Sequence, residues 1–350
     1  MRTDLTLGDV ERVRLILRGG TVIDWRRLRV SSIDDCNDLL RVNEFNPEDE
    51  SDAARLSGIH HRAVDYLERN FGFTFAADIA NAPRTSDLML LAAGYDPVLQ
   101  PQACMVLKLM HIINHIEAGE FRSILPIPDR DLFQLVEEKA KRVTQDMKNL
   151  GYPILEFLSS RKTPDSVITK ILAKRKTIRA NIFDRVRFRI VTASVNDIVP
   201  VVMYMSRHLF PFHYTVPGES YNSIFDFPAY TKLHPRIEAM VPKFQVDLKF
   251  ENEMRPPANT DTSRAFRTIN FVVDFPIKID TPLLQSRSFD PSVSPGIVHV
   301  LTEFQIVDQI SHARNECGEA SHEKYEARRM VKVRERLLHG RMTWRGRDSV

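Results

Sequence analysis

Two alternating segments carry side chains that could together handle a polyphosphate. In Arg185-Val186-Arg187-Phe188-Arg189-Ile190-Val191, a strand's two-residue period puts Arg185, Arg187 and Arg189 on one face and Val186, Phe188 and Ile190 on the other. Arginines gathered on one face repel one another unless that face is wet or meets an anion, and the planar guanidinium suits phosphate oxygens. Asp184, at the strand entrance, is a hard oxygen ligand of the kind Mg²⁺ takes beside a phosphate. A solvated sheet edge guarded by arginines accounts for the same pattern. The second segment, 297–307, puts Leu301, Glu303 and Gln305 on one face and Val300, Thr302, Phe304 and Ile306 on the other. A glutamate inside so apolar a strand is costly to bury alone, so a metal or a cation is expected beside it, with Arg187 and Arg189 as the candidate cations.

Several further groups await a partner. Thr163-Pro164-Asp165 reads as a helix start: Thr163 caps, Pro164 suits the first turn, and Asp165 suits the positive helix end. The helix runs from 166 to about 174 and leaves Lys170 at the margin of an apolar stripe, where it can reach a cleft or snorkel. Segment 264–274 reads as a strand approached by a polar turn, with Phe266 near its start. In the loop 210–220, rich in aromatics and prolines, the rings can stack on a base or pack the loop down. His111 and His115 share a helix face at a spacing that can chelate a metal, but no third ligand is identifiable. Buried, hydrogen-bonded histidines on a core helix are the favoured reading there.

The order of these residues resembles the synthetase domain of RelA/SpoT-type alarmone synthetases. A lysine-containing loop at Lys162, the Thr-Pro-Asp-Ser helix start, and Asp184 five residues before Arg189 match its first half. Thr302-Glu303-Phe304-Gln305-Ile306 followed by Glu316, Gly318, Ala320, His322 and Tyr325 match its Glu-x-Gln-Ile strand and the helix after it, with Asn315 replacing that helix motif's first alanine. The resemblance implies a nucleotidyltransferase-like mixed β-sheet flanked by helices. It implies Mg²⁺ held by Asp184 and Glu303, and ATP phosphates met by Arg161, Lys162, Lys170, Arg187 and Arg189. It also implies an acceptor, GDP or GTP, met by Phe266, Asn270, Gln305 and His322. Phe266 stands where the family has a base-stacking tyrosine, Ala265 where it has glycine, and Asn270 where it has histidine. Ser160 stands at an arginine position, with Arg161 one place off. The family's Arg-x-Lys-Asp-Tyr loop is not found; Lys232, Arg236, Lys243, Lys249 and Arg255 are its candidate substitutes. No His-Asp dipeptide occurs, so no hydrolase half is assigned. The altered acceptor strand and the basic end keep two alternatives open: the same chemistry on a tRNA 3′ end or an adenine nucleotide, or a non-catalytic nucleotide- or RNA-binding module.

These residues need elements to position them. With 350 residues, 43% hydrophobic and 27% charged, the chain has room for two domains. Helical spacing or capping covers 10–17, 33–40, 52–71, 85–93, 102–116 and 131–150, so 1–150 reads as an all-helical domain. From Gly151-Tyr152-Pro153 the texture turns to mixed strand and helix, an α/β (α+β) domain over 151–340, and 341–350 forms a basic tail. The first domain can regulate, oligomerise or support the fold. A net charge of +3 does not by itself mark a nucleic-acid binder. Cys36, Cys104 and Cys317 are widely spaced without a Cys-x-x-Cys pair, which fits a reducing compartment. No signal-peptide pattern opens the chain, and the apolar run 198–205 is too short to span a bilayer, so a cytoplasmic protein without membrane contact is expected.

Overall fold

The computed structural model describes residues 7–18, 30–173, 185–239, 266–279, 296–317 and 322–345. Asp184, Lys243, Lys249, Arg255, the polar stretch 251–262, Ala265, Gly318, Ala320 and the end of the basic tail, 346–350, lie outside the described residues.

The chain begins with helices: α1 (Leu7–Arg18), α2 (Ile33–Val42), α3 (Glu50–Phe71), the single turn α4 (Ala77–Ala80), α5 (Thr85–Ala93), α6 (Leu99–Ile124) and α7 (Asp129–Asn149). Their starts follow from capping chemistry. Ser32 Oγ accepts from the Asp35 backbone N–H at 3.1 Å, and Asp49 Oδ1 accepts from that of Asp52 at 3.0 Å. Gly72 closes α3 at φ 68°, a left-handed conformation that glycine adopts without cost. The mixed part then runs β1 (Ile154–Arg161), α8 (Pro164–Ala173), β2 (Val186–Thr192), α9 (Ile198–His208), β3 (Tyr221–Asn222), α10 (Phe227–Leu233), α11 (Pro235–Glu238), β4 (Ile269–Lys278), β5 (Ile297–Asp308), α12 (Gln309–Asn315) and α13 (His322–Arg345). The last strand, expected from 297, thus ends at an aspartate that caps the next helix: Asp308 Oδ1 accepts from the Ile310 and Ser311 N–H groups.

The chain packs as two units. The first comprises Met1–Leu150, Val199–Gly218 and Val273–Val300, and the second Gly151–Ile198, Glu219–Val272 and Leu301–Val350. Strands β4 and β5 each run from one unit into the other.

In the first unit, α3 and α5 pack on α6, burying Ile59, Ala63, Leu88, Val106 and Leu107. The aromatic loop is packed down here: Phe210, Phe212 and Tyr214 are buried, and the Tyr214 hydroxyl accepts from Asn114 Nδ2 at 3.2 Å. That burial removes these rings from any base-stacking role. Polar tethers hold the strand end: Lys278 Nζ donates to the buried Asp52 carboxylate at 2.6 Å, and Lys139 pairs with Glu44.

In the sheet the strand order is β1-β2-β5-β4-β3. β1 runs antiparallel to β2, β2 parallel to β5, and β3 antiparallel to β4. Within the second unit one face is an aromatic ladder. Phe157 stacks on Phe188 with ring centroids 5.4 Å apart, Phe188 meets Phe304 at 5.4 Å, and Phe304 stacks on Phe271 at 5.6 Å. Aromatic contacts and the complete burial of Phe188, Phe304 and Phe271 make this ladder the unit's core, with half-buried Phe157 at its end. Every second residue therefore projects from the opposite face. Nearby, α13 packs along α8, where the Arg336 guanidinium donates to the Leu172 carbonyl at 2.6 Å and satisfies one of the last carbonyls of that helix. Buried Arg329 donates to the Ser166 carbonyl at 3.2 Å, so part of the basic end serves helix packing.

Candidate active site

Register assembles the polar cluster. Parallel pairing of β2 with β5 sets Arg187 opposite Glu303 and Arg189 opposite Gln305, on the face turned away from the phenylalanine ladder. Arg187 Nε donates to Glu303 Oε2 at 2.8 Å, and Gln305 Nε2 donates to Glu303 Oε1 at 3.3 Å. Arg189 Nε and Nη2 both donate to Gln305 Oε1, at 3.2 and 3.1 Å, while its Nη1 donates to Glu316 Oε1 at 2.8 Å. The result is a continuous relay, Arg187–Glu303–Gln305–Arg189–Glu316.

Burial decides what this relay is for. Glu303 is 7% exposed and Gln305 6%, whereas the side chains of Arg187 and Arg189 are 26% and 21% exposed. The carboxylate is thus held at the floor of the cluster with its cation supplied by Arg187, which removes the cost of burying it alone. The arginines keep partial access to solvent and so to an incoming anion. On β4, Asn270 alternates with Phe271 and so projects from the same polar face; its Oδ1 is buried without a hydrogen-bond partner among the described residues. A buried carbonyl oxygen in that state is an acceptor to which a ligand could donate.

Phe266, half-buried, lies on the approach to β4, and its carbonyl accepts from Tyr221 Oη at 2.8 Å and Ser223 Oγ at 3.2 Å. The next residue is clasped from both sides: Asn315 Nδ2 donates to the Arg267 carbonyl at 2.7 Å, and Asn315 Oδ1 accepts from the Arg267 N–H at 2.9 Å. This explains an asparagine where the motif resemblance would place alanine. Asn315→Ala is therefore expected to cost about 0.5–1.5 kcal/mol by removing two hydrogen bonds to the partly buried Arg267 backbone. Denaturant unfolding of the variant beside the wild type measures this cost.

The remaining sequence-derived residues are placed as follows. Ser160 pairs with Arg187 and Arg161 with Val186, so alternation puts Ser160 on the polar face and Arg161 on the face of Phe157. Arg161 is thus not brought into the cluster. Lys162 follows β1, with its backbone N–H on the Arg185 carbonyl at 3.1 Å; Lys170 lies on α8, and His322 is the first residue of α13. Glu316 and Asn315 carry more of the geometry than their sequence context suggests. The only sequence signal for the second was its departure from the motif.

Glu303 is the hard carboxylate ligand that this face offers a divalent metal. Both Glu303 oxygens accept a hydrogen bond, and each keeps a lone pair for a cation. The donor set fits Mg²⁺ in part, since this ion takes one or two carboxylates and completes its shell with phosphate and water. Elsewhere, a cavity of about 50 Å³ in the first unit, lined by Met89, Met110, His111 and Tyr214 among others, has room for water but not for a nucleotide.

No protein-family model and no curated protein matches the chain. Among solved structures it is similar to small alarmone synthetase 1 from Bacillus subtilis, at 18% identity over 62% of this chain and 92% of that chain, with a TM-score of 0.30. A GTP pyrophosphokinase family protein from Streptococcus pneumoniae aligns at 14% identity over 65% of this chain and 93% of that chain, with a TM-score of 0.30. Small alarmone synthetase 2 from Bacillus subtilis aligns at 12% identity over 61% and 98%, with a TM-score of 0.29. The likeness is to alarmone synthetase structures, at TM-scores too low to carry an argument about chemistry.

Proposed function

We propose that the chain is a Mg²⁺-dependent nucleotide pyrophosphokinase that moves the β,γ-diphosphate of ATP to the ribose 3′-hydroxyl of GDP or GTP, forming (p)ppGpp in the cytoplasm. The observation that carries this reading is the register that seats Glu303 and Gln305 between Arg187 and Arg189 on one polar face. Among the described residues no helix is long and apolar enough to cross a membrane.

In the reaction, the acceptor 3′-oxygen bonds to the β-phosphorus, the bond from that phosphorus to the α–β bridging oxygen breaks, and AMP leaves. Glu303 accepts the hydroxyl proton, directly or through water, from its fixed position beside Gln305. Arg187 and Arg189 turn their guanidinium groups to the phosphate oxygens and offset the charge that shifts during transfer. Lys162 and Lys170 extend this positive field to the far end of the triphosphate. Phe266 offers a ring face to the acceptor base, and Asn270, Gln305 and His322 are the polar groups assigned to the acceptor. Mg²⁺, held by Glu303 with Asp184, would neutralise the β- and γ-phosphates.

One observation favours a second reading. Arg187 and Arg189 are each paired with a carboxylate, Glu303 and Glu316, as expected of a module that binds nucleotide or RNA without turnover. The test is transfer of label from γ-³²P-ATP with Mg²⁺ to GDP, GTP, ATP or tRNA. Labelled guanine tetra- and pentaphosphates are expected. Label on tRNA or an adenine nucleotide would move the acceptor, and binding without transfer to any of them would leave the non-catalytic module.

A further inference from the structure

The first unit holds a second constellation that the pyrophosphokinase reading does not use. His111 and His115 lie one turn apart on α6, and sequence offers them no third ligand. The fold supplies two. His115 Nδ1 lies 3.3 Å from Asp274 Oδ2 on β4, and the His115 ring stacks on that of His299 from β5 with centroids 4.4 Å apart and 26° between planes. One ligand atom from each of His115, Asp274 and His299 lies within 4.8 Å of the other two, the only such group among the described residues. The Tyr214 ring walls the group at 4.7 Å from His115 and 5.0 Å from His299.

An ordinary ion pair would account for His115 and Asp274 alone. It leaves His299 unexplained, because His299 Nε2 is buried with no hydrogen-bond partner among the described residues. Burying such a group unpaired is unfavourable, and a cation bound by the trio would give the ring a reason to be there. Distances agree: with bonds of about 2.0–2.1 Å, the ligands of a tetrahedral zinc ion stand about 3.3–3.4 Å apart. The His115–Asp274 pair already has that spacing. The wider separations, up to 4.8 Å, close by side-chain adjustment when the ion binds.

We propose that His115, Asp274 and His299 form a binding site for a divalent transition-metal ion, Zn²⁺ first among them. Two imidazoles and one carboxylate select against Mg²⁺, which prefers an all-oxygen shell, so this site and the one at Glu303 take different metals. Three protein ligands leave a fourth position for water or a small ligand, and the half-buried trio keeps a path to solvent. The bound ion would join α6, β4 and β5 within the first unit, stabilising the folded chain by mass action.

The test uses the full chain, freed of metal by a chelator and dialysed against Zn²⁺ or Co²⁺ alone. One equivalent of Zn²⁺ per chain by plasma mass spectrometry is expected, together with a rise in the thermal midpoint. Co²⁺ should give visible bands of a low-coordinate nitrogen and oxygen site without a thiolate charge-transfer band. Asp274→Asn, which keeps the side chain's shape, and His299→Ala should weaken uptake by more than the roughly 10–100-fold typical of losing an outer-shell partner, whereas Glu303→Gln should not change it. The assignment is overturned if the wild-type chain takes up neither ion, or if both variants take up as much as the wild type. It is equally overturned if uptake is lost in Cys317→Ser, which removes the exposed thiol. The wild-type Co²⁺ spectrum reports ligand type directly, so a variant that misfolds does not blunt the test.

Discussion

Glu303→Gln is expected to lower label transfer by about 10³-fold or more, the combined scale of losing a positioned proton acceptor and one charge aimed at the reacting phosphates. The substitution is nearly isosteric. A glutamine oxygen at 303 can still accept from Arg187 Nε, while its amide nitrogen faces Gln305 Nε2 and that longer bond is lost. What disappears is the negative charge, and with it both the proton acceptor and the metal ligand proposed for this position. Arg187 then lacks its counter-ion, but its side chain is about one quarter exposed, so water screens the loss and the stability cost should stay near 1 kcal/mol. Nucleotide affinity should hold within about tenfold while turnover falls. Transfer at the wild-type rate would remove Glu303 from the chemistry and leave its pairing with Arg187 as a purely structural feature.

Phe304→Ala should produce the largest stability loss, about 3–5 kcal/mol, because deleting a buried aromatic ring forfeits its transfer free energy and leaves a cavity. Phe304 is fully buried between Phe188 and Phe271 in the middle of the ladder, and it lies in the chain between Glu303 and Gln305. Loss of its ring therefore loosens the strand that seats both functional side chains, and transfer should fall with stability. Phe304→Leu, which keeps most of the volume, should cost less than about 1.5 kcal/mol. Denaturant unfolding monitored by circular dichroism measures both. A loss below about 1 kcal/mol for the alanine variant would mean that the ladder is not the core of the second unit.

Much of this was legible along the chain. The alternation of Arg187, Phe188 and Arg189 and of Glu303, Phe304 and Gln305 shows which side chains share a strand face, because a strand's period is two residues. The expectation of a cation beside Glu303 follows from the cost of burying a charge, and Arg187 supplies it. Capping residues marked helix starts, although α3, capped by Asp49, begins at Glu50, two residues before the apolar pattern suggests. Arg161 is the instructive contrast. By motif order it stands one place from an arginine position, and only the pairing of Ser160 with Arg187 shows which face it occupies. Asn315 likewise read as a departure from a motif, since its partner Arg267 is 48 residues away.

The sequence by itself determined the helices of 1–150, the polar and apolar faces of β2 and β5, and the order of the two motif halves. All of these depend on backbone periodicity and on sterics between near neighbours. Only the tertiary structure decided that Arg187 meets Glu303 across 116 residues, that Val199–Gly218 and Val273–Val300 pack with the first helices, and that His115 finds Asp274 and His299. The physical reason is that strand register and side-chain packing are settled by many weak, long-range contacts acting together, and no short stretch of chain carries them.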